Sequence, residues 1–406
     1  MRLPEVAVPD PAAMWAGSGA MALTGRADGP PLLAPPAVVS RLTQLARRLA
    51  DSRGLTVDGP ALLAERAAHA GLHRAGDVSC GGRSRLVRAA DGWISVTLAR
   101  DEDLELLPAW LGPDADDTDL AAAICEQPAA ALVARAALLG LPASRIGESR
   151  ALPPLVATPL RGKGALGGRR RWVIDLSSLW AGPLCGQLLT RAGHRVIKVE
   201  STGRPDGARS GPPGFYDLLH AGQESVALDF TSRDGRAVLQ RLIDEADIVI
   251  EASRPRAMAQ LGVGPSPRGP RVWVSITGYG REGDSANRVA FGDDAAAAGG
   301  LVVCDDAGPC FCADAAADPA TGLYAAVAAL EAVDTVGRWL LDVRLAGVAA
   351  WLAEPAAGQE RREPARADYA GSVLLPRSRP ATGRAAALGQ DTDTVIGELE
   401  AAGVGR

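Results

Sequence analysis

Residues 172–200 read WVIDLSSLWAGPLCGQLLTRAGHRVIKVE, and this stretch decides the fold. The runs 172–176 and 195–200 are short, apolar and rich in Val and Ile, as buried strands are. Between them lie a turn of small residues and a helical stretch. Because parallel strands need such a crossover, the stretch predicts a βαβ unit with helices covering a parallel sheet.

The same alternation of strand and helix patterns continues downstream of this unit. It predicts strands at 225–229, 247–251 and 271–276, and helices at 233–246, 256–261 and 319–334. The predicted fold class is therefore α/β, with a doubly wound, Rossmann-like parallel sheet domain over residues 172–345. We expect residues 346–406 to form a surface excursion and a returning helix.

The N-terminal part has a different pattern. Apolar residues at helical spacing predict an amphipathic helix over 37–52. Two β-rich runs within 85–99 flank Asp91-Gly92, which is a hairpin signal, and two helical stretches follow at 116–125 and 128–140. Residues 1–152 therefore predict a smaller α+β domain. Residues 153–171, with Pro, Gly and a basic run at the end, predict a linker.

Composition excludes several classes of protein. The formal charge of −5 argues against an electrostatic nucleic-acid binder. No apolar run is long enough to span a bilayer, and the N-terminus has no apolar core of a signal peptide. The six cysteines are scattered over 406 residues and do not form the pattern of a disulfide framework. Cys304, Cys310 and Cys312 lie close together, but they do not form the CxxC motif that is typical of a metal site. We expect a cytoplasmic protein without a metal site.

The turn after the first predicted strand is one candidate site. Doubly wound sheets bind ligands beyond the carboxyl ends of their strands, and residues 177–183 occupy such a position. Small residues there allow a close approach to the backbone, and the helix N-terminus attracts anions. A simple tight turn explains the same residues. Neither a G-x-G-x-x-G dinucleotide pattern nor a P-loop is present in the chain.

Asp318 is the second candidate. It precedes Pro319 at the start of an apolar helical run, which predicts an N-cap aspartate followed by proline at N1. A purely structural cap is one interpretation. The alternative is a carboxylate that the helix dipole keeps ionised and that attacks a thioester. His69 and His73 lie one helical turn apart without a third ligand, so we interpret them as ordinary surface residues.

Several segments resemble the family III CoA-transferases (CaiB/BaiF), which include formyl-CoA transferase and alpha-methylacyl-CoA racemase, and they occur in the family's order. Residues 173–200 resemble the family's opening strand, AGP turn and helix. The segments that follow in order are SVALDF (225–230), GRAVLQRLIDEADIVIEASRP (235–255), VWVSITGYGREG (272–283), FGDDAAAAGGL (291–301), ADPATGLYAAVAALEA (317–332) and ALGQDTDTVIGELEAAG (387–403). Together they cover about half of the chain.

The N-terminal half carries a second resemblance in an unusual order. GSGAMALTGRADGPP (17–31) resembles what normally follows the acidic helix, and residues 37–50 stand where the catalytic segment would be, without its Asp. SCGGRSRLVRAADGWISVTL (79–98) resembles the family's glycine loop and the start of its small domain. The resemblance therefore implies a permuted chain in which the small domain comes first.

The resemblance implies CoA transfer, with coenzyme A as a substrate and no tightly bound cofactor. Asp318 would be the catalytic carboxylate, and Gly81 and Gly82 would form the mobile glycine loop. The partners would be an acyl-CoA, a carboxylic acid acceptor and a second copy of the chain in a homodimer, with neither nucleic acid nor membrane. The residues implied to contact CoA are Trp180, Ala181, Leu228, Asp229, Phe230, Thr231, Ala252 and Ser253.

Several positions depart from the family pattern. Trp180 replaces a Gln of formyl-CoA transferases, which disfavours oxalate and formyl-CoA as substrates. Gln223-Glu224 replaces a Lys-Arg pair, leaving Arg204, Arg209 and Arg254 as substitutes for phosphate binding. A 2-methylacyl-CoA racemase would carry a His where this chain has Asp293, so racemisation is a second candidate function. A non-catalytic CoA-binding protein is a third.

Overall fold

A computed structural model describes residues 10–162, 172–265, 269–355 and 372–403. The helices are α1 (Pro11–Gly17), α2 (Pro36–Arg53), α3 (Glu65–Ala70), α4 (Asp101–Glu105), α5 (Leu107–Leu111), α6 (Leu120–Cys125), α7 (Ala129–Leu139), α8 (Ala181–Arg191), α9 (Pro213–His220), α10 (Arg233–Glu245), α11 (Pro255–Leu261), α12 (Gly292–Gly299), α13 (Ala317–Asp334), α14 (Leu345–Ala353) and α15 (Thr392–Gly403). The strands are β1 (Ser84–Ala89), β2 (Gly92–Thr97), β3 (Ala143–Arg145), β4 (Leu155–Pro159), β5 (Trp172–Asp175), β6 (Arg195–Ser201), β7 (Glu224–Leu228), β8 (Ile248–Glu251), β9 (Val272–Thr277), β10 (Val302–Asp305), β11 (Gly308–Phe311) and β12 (Trp339–Arg344).

A seven-stranded sheet organises the second half of the chain. Its order is β4-β12-β9-β8-β5-β6-β7, and every neighbouring pair is parallel except β4 with β12. Counted from β5, the six parallel strands run 3-2-1-4-5-6, the order of dinucleotide-binding folds. The strand order reverses between β5 and β8, so the expected crevice lies at their carboxyl ends. The predicted mixed α/β fold with a large, mostly parallel sheet is confirmed.

Alternate residues of the strands enter two separate hydrophobic cores. Val173 and Ile248 pack with α8 and α13 on one face of the sheet. Their neighbours Ile174 and Val249 pack with α10 and with Val395 of α15 on the other face. This alternation follows from the twofold period of a strand, and it explains why the strands are apolar without interruption.

The edge strand β4 lies within the segment predicted as a linker. Leu155–Pro159 pairs antiparallel with Trp339–Val343, and Leu160 N donates to Arg338 O at 2.8 Å. The Pro residues around this run suit an edge strand, because proline cannot donate to a ladder. Residues 163–171, which include the predicted basic run, lie outside the described residues.

The predicted hairpin at Asp91-Gly92 is confirmed. Ala89 pairs with Gly92 in an antiparallel β1–β2 ladder, and β3 adds on the far side of β2. Helices α5 to α7 cover this small sheet with a core of their own, in which Trp110 Nε1 donates to Leu132 O at 2.9 Å. An α+β arrangement therefore occupies residues 84–145.

Helices α1 to α3 contribute to the hydrophobic core of the large sheet rather than to that of the small sheet. Trp15, Leu42 and Leu45 are buried in the same core as Leu184 of α8 and Leu323 of α13. The polypeptide before the small sheet thus completes one face of the large sheet. The predicted domain boundary at residue 152 and the permuted order stay predictions, and residues 1–9 lie outside the described range.

The segment predicted as a C-terminal excursion begins with a buried helix. Helix α14 is buried, and it approaches α12 so closely that a Cβ at Gly299 would lie 2.5 Å from Ala350 N. Helix α15 returns to cover β7 and α10, while residues 356–371 of the predicted excursion lie outside the described residues. No helix in the described ranges combines the length and the apolar character that crossing a bilayer requires.

Candidate active site

The turn after β5 stands where the strand order reverses. Leu179 has a φ of 71°, a left-handed conformation that a leucine adopts only when its surroundings impose it. Lys198 Nζ donates to Ser177 O at 2.8 Å, and Asp206 accepts a hydrogen bond from Leu179 N at 3.0 Å. Lys198 and Asp206 are buried and pair at 3.0 Å. The buried ion pair between Lys198 and Asp206 therefore holds this turn in place through two hydrogen bonds to its backbone.

Asp318 lies in the first turn of α13, one turn away from that loop. The predicted N-cap role is wrong, because the helix begins at Ala317 and Ala316 occupies the N-cap position without a side-chain bond. Ala313 and Ala315 have φ values of 59° and 43°, and after this left-handed bend the helix starts two residues earlier than predicted. The carboxylate of Asp318 instead accepts a hydrogen bond from the N–H of Gly292 at the start of α12.

Gly292 is required by this arrangement. A Cβ at this position would lie 2.7 Å from Asp318 Oδ2 and 2.5 Å from Ala315 O. Both distances are shorter than carbon–oxygen van der Waals contact, so any side chain would displace the carboxylate. The glycine thus lets a backbone N–H reach Asp318 directly.

The start of α8 is packed against the helix that carries Asp318. A Cβ at Gly322 would lie 2.6 Å from Ala181 O, so the two helices touch through their backbones. Gly322 follows Asp318 by four residues and therefore shares its helix face. This contact places the turn after β5 beside the Asp318 carboxylate.

Polar side chains of the small sheet reach the N-terminus of α12. Ser84 Oγ donates to Asp293 Oδ2 at 3.0 Å, and Ala315 N donates to Asp293 Oδ1 at 3.1 Å. Thr97 Oγ1 donates to Asp294 Oδ1 at 3.3 Å. The N-terminal half of the chain therefore contributes directly to the surroundings of Asp318.

Arg66 is a second residue of the N-terminal half that lies near Asp318. Its Nε donates to Asp314 Oδ2 at 2.9 Å, and its Nη2 pairs with Asp314 Oδ1. The guanidinium lies over the ring of Trp180, 5.2 Å from the centroid. A Cβ at Gly81 would lie 3.5 Å from Nη2. Arg66 thus touches the loop before α13, the turn after β5 and the glycine loop.

The pKa of Asp318 is raised to about 7. Burial is the main cause, and the negative charges of Asp293 and Asp314 add to it, while Arg66 and the Gly292 N–H oppose it. The pKa of Asp293 is raised to about 6, by burial and then by Asp314. Burial and the neighbouring acids thus oppose the expected stabilisation of the Asp318 carboxylate by the helix dipole. At neutral pH the carboxylate and the carboxylic acid coexist.

The residues expected to contact CoA line one edge of the sheet. Ala252 and Ser253 follow β8, Asp229 to Thr231 follow β7, and Trp180 follows the turn after β5. Ala252, Asp229 and Thr231 are exposed, and Phe230 and Ser253 are partly buried. Trp180, Ala181 and Leu228 are buried, so little of their surface is open to a ligand. Their contact with CoA stays a prediction.

The predicted glycine loop is exposed. Gly82 has a φ of 73° and its N–H donates to Ser79 O at 2.8 Å, which makes a tight turn before β1. Of the proposed phosphate partners, Arg204 and Arg254 are exposed, whereas Arg209 pairs with Glu200 and lies over Tyr216. The described residues contain no group of three or more His, Cys, Asp or Glu arranged for a metal ion.

Sequence reasoning missed Arg66, Asp314 and Ser84. Arg66 and Asp314 are 248 residues apart, so no spacing pattern could join them. The family resemblance predicts a glycine loop at Gly81 and Gly82, and Gly81 adjoins Arg66.

Comparisons with known proteins agree on one family. The profile of CoA-transferase family III matches residues 169–372, just over half of the 406 residues. An acyl-CoA transferase of Fusarium pseudograminearum is 33% identical over 159 residues, which cover 34% of each chain. Human alpha-methylacyl-CoA racemase is 34% identical over 117 residues, covering 27% of this chain and 28% of the racemase.

A solved structure shows a partial likeness. The crystal structure of a hypothetical protein from Mycobacterium tuberculosis is 32% identical with a TM-score of 0.42, covering 48% of this chain and 58% of that one. The chain spans about a third of the length of the first curated relatives that it matches. Because the family profile covers just over half of the chain, the chain belongs to CoA-transferase family III.

Proposed function

We propose that the chain transfers CoA from an acyl-CoA to a carboxylic acid, with Asp318 as the nucleophile. One observation carries the proposal. The Asp318 carboxylate is partly buried, is held by the Gly292 N–H and lies beside the turn at the point where the strand order reverses. A positioned carboxylate in a water-poor site can attack a thioester carbonyl.

The proposed reaction has four steps. An oxygen of Asp318 attacks the acyl-CoA carbonyl and expels CoA thiolate, leaving a mixed anhydride. The thiolate attacks the aspartyl carbonyl, releases the acyl group as a carboxylate and leaves an aspartyl-CoA thioester. The acceptor carboxylate attacks this thioester, and the CoA thiolate expelled then attacks the acceptor carbonyl, which restores Asp318 and releases the new acyl-CoA.

The other parts of the proposal rest on the resemblance. The exposed residues after β7 and β8 would receive CoA, and the loop at Gly81 and Gly82 would close over the intermediates. Coenzyme A would be a substrate, with no tightly bound cofactor. The small sheet's place before the Rossmann-like part supports a permuted order, and we propose a cytoplasmic homodimer.

Racemisation of a 2-methylacyl-CoA is the second candidate function. Two neighbouring acids, Asp293 and Asp318, have pKa values raised to about 6 and about 7 by burial, with smaller effects from their charged neighbours. Such a pair can remove a proton from one face of an α-carbon and return it on the other. Asp293 accepts hydrogen bonds from Ser84 and Ala315, which favours a structural role for it and hence the transferase.

Trapping the intermediate tests the proposed function. We expect that incubation with acetyl-CoA, succinyl-CoA or a branched acyl-CoA, followed by hydroxylamine, converts Asp318 into a hydroxamate. Peptide mass spectrometry locates the modified residue, and the same incubation in deuterium oxide detects exchange at the α-carbon. Exchange without a hydroxamate would favour racemisation. Neither product with any acyl-CoA would favour a non-catalytic CoA-binding protein.

The rate of this labelling should depend on pH. Only the carboxylate attacks, and with a pKa of about 7 its fraction at about pH 8 is roughly tenfold that at about pH 6. Single-turnover release of CoA from excess enzyme should therefore rise about tenfold over this interval and then level off. Non-enzymatic thioester hydrolysis at each pH is subtracted. A rate that is constant between about pH 5 and pH 8 would show that Asp318 is already ionised at about pH 5, which would contradict its raised pKa.

A further inference from the structure

Arg66 has donors that its ion pair leaves available. A guanidinium carries five N–H groups, and Asp314 occupies the side formed by Nε and Nη2. Among the described residues nothing hydrogen-bonds to Nη1, and this atom is not sealed from solvent. The side chain of Arg66 is 32% exposed, whereas that of Asp314 is 1% exposed. The open end of the guanidinium therefore faces away from its buried partner.

Two neighbours hold the guanidinium of Arg66 in place, and a third approaches it. Asp314 holds one edge of the guanidinium plane through two hydrogen bonds, and Trp180 lies against its face. The glycine loop approaches at Gly81, where a Cβ would lie 3.5 Å from Nη2. A planar donor held in this way is preorganised, so little side-chain entropy is lost when an anion binds to it.

The surroundings of Asp318 present an electrostatic difficulty to a carboxylic acid acceptor. Asp293 and Asp314 lie close to the nucleophile, and an acceptor is itself an anion at neutral pH. Like charges at short range repel strongly in a buried site. An acceptor can enter only if a positive charge compensates for this repulsion, and Arg66 supplies such a charge close enough to act on Asp318.

We propose that Arg66 binds the carboxylate of the acceptor acid through Nη1 and thereby selects anionic acceptors. The inference rests on the proposed function, because it assigns the acceptor subsite of the same reaction. It also gives the N-terminal half a role in substrate recognition, since Arg66 belongs to α3. Arginine suits this task because its donors match the two oxygens of a carboxylate.

Direct binding of a carboxylate tests this subsite without turnover. Propionate is the probe, and propionamide is its neutral analogue of similar shape. In saturation-transfer NMR with the full chain, we expect propionate to bind and propionamide to bind about 10- to 100-fold more weakly, as the loss of a charged hydrogen bond predicts. Equal binding of the two probes, or no binding of propionate, would overturn the proposal.

Variants of Arg66 identify the donor. The double variant R66Q/D314N removes both partners of the ion pair and so leaves no unpaired buried charge. We expect it to lose propionate binding at least tenfold, and Arg66→Lys to retain an intermediate affinity. R100Q/D103N is the matched control, because Arg100 is 27% exposed and pairs with the fully buried Asp103. Retained propionate binding in R66Q/D314N would refute the role of Arg66.

Kinetics separate this inference from the proposed function. With an acyl-CoA that labels the wild-type enzyme, R66Q/D314N should raise KM for propionate at least tenfold. The rate at which hydroxylamine, a neutral nucleophile, captures the intermediate should change less than threefold. An equal loss with both nucleophiles would indicate a structural role for Arg66. If propionate binds through Arg66 while no acyl-CoA labels Asp318, the subsite stands and the proposed transferase activity fails.

Discussion

Replacing Asp318 by Asn is expected to lower the rate of CoA transfer by about 10⁴-fold. An amide oxygen is a poor nucleophile, so neither the mixed anhydride nor the aspartyl-CoA thioester can form. The substitution keeps the shape of the side chain, and its oxygen can still accept the hydrogen bond from Gly292. Transfer is measured from the appearance of the new acyl-CoA by mass spectrometry, and CoA binding is measured separately.

The stability of the Asp318→Asn variant provides the folding control. The folded pKa of Asp318, about 7, is above its ordinary value, so deprotonation between about pH 4 and pH 7 destabilises the folded state. Asn removes this penalty, and we expect a melting temperature at about pH 8 that is no lower than that of the wild type. Asp305→Asn, at the surface ion pair with Arg26, is the matched substitution and should retain activity. Transfer within tenfold of wild type in Asp318→Asn would contradict the mechanism.

The sheet could be predicted from sequence where its strands are short, apolar and separated by helices. Strands β5 to β9 lie within a residue or two of their predicted positions, because burial on both faces makes their patterns distinct. Strand β4 was missed because its five residues are mostly exposed and lie among prolines. It exists because β12 offers an unpaired edge, which is information that the local sequence does not contain.

Prediction of the candidate site from the sequence was limited in the same way, because part of it depends on tertiary contacts. Asp318 was a candidate because a motif surrounds it, yet its helix position was predicted wrongly and its raised pKa was not foreseen. Both depend on the left-handed bend at Ala313 and Ala315 and on acids brought in by α12. Arg66 had no local signal at all. The ion pair between Arg66 and Asp314 forms only when α3 packs beside the loop before α13, and such contacts follow from tertiary structure.

This ion pair leads to an asymmetric prediction about stability. Arg66→Gln leaves the Asp314 carboxylate, which is 1% exposed, without its cationic partner, so we expect it to lower the free energy of unfolding by about 3–5 kcal/mol. Asp314→Asn leaves Arg66 without its anionic partner, but the Arg66 side chain is 32% exposed and can be hydrated. The free energy of unfolding should therefore fall by only about 1–2 kcal/mol. Urea unfolding at about pH 7.5 measures both values.

The double variant R66Q/D314N completes the cycle. Because the unpaired charge is gone, its loss should be smaller than that of Arg66→Gln alone, and the two single effects should not add. Asp103→Asn and Arg100→Gln form the matched cycle, since Asp103 is fully buried and Arg100 is 27% exposed. Additive effects of equal size at Arg66 and Asp314 would mean that no buried charge is left behind in either variant. In that case Asp314 does not act as the buried anchor of Arg66, and the guanidinium would need another support to hold its open end toward the acceptor.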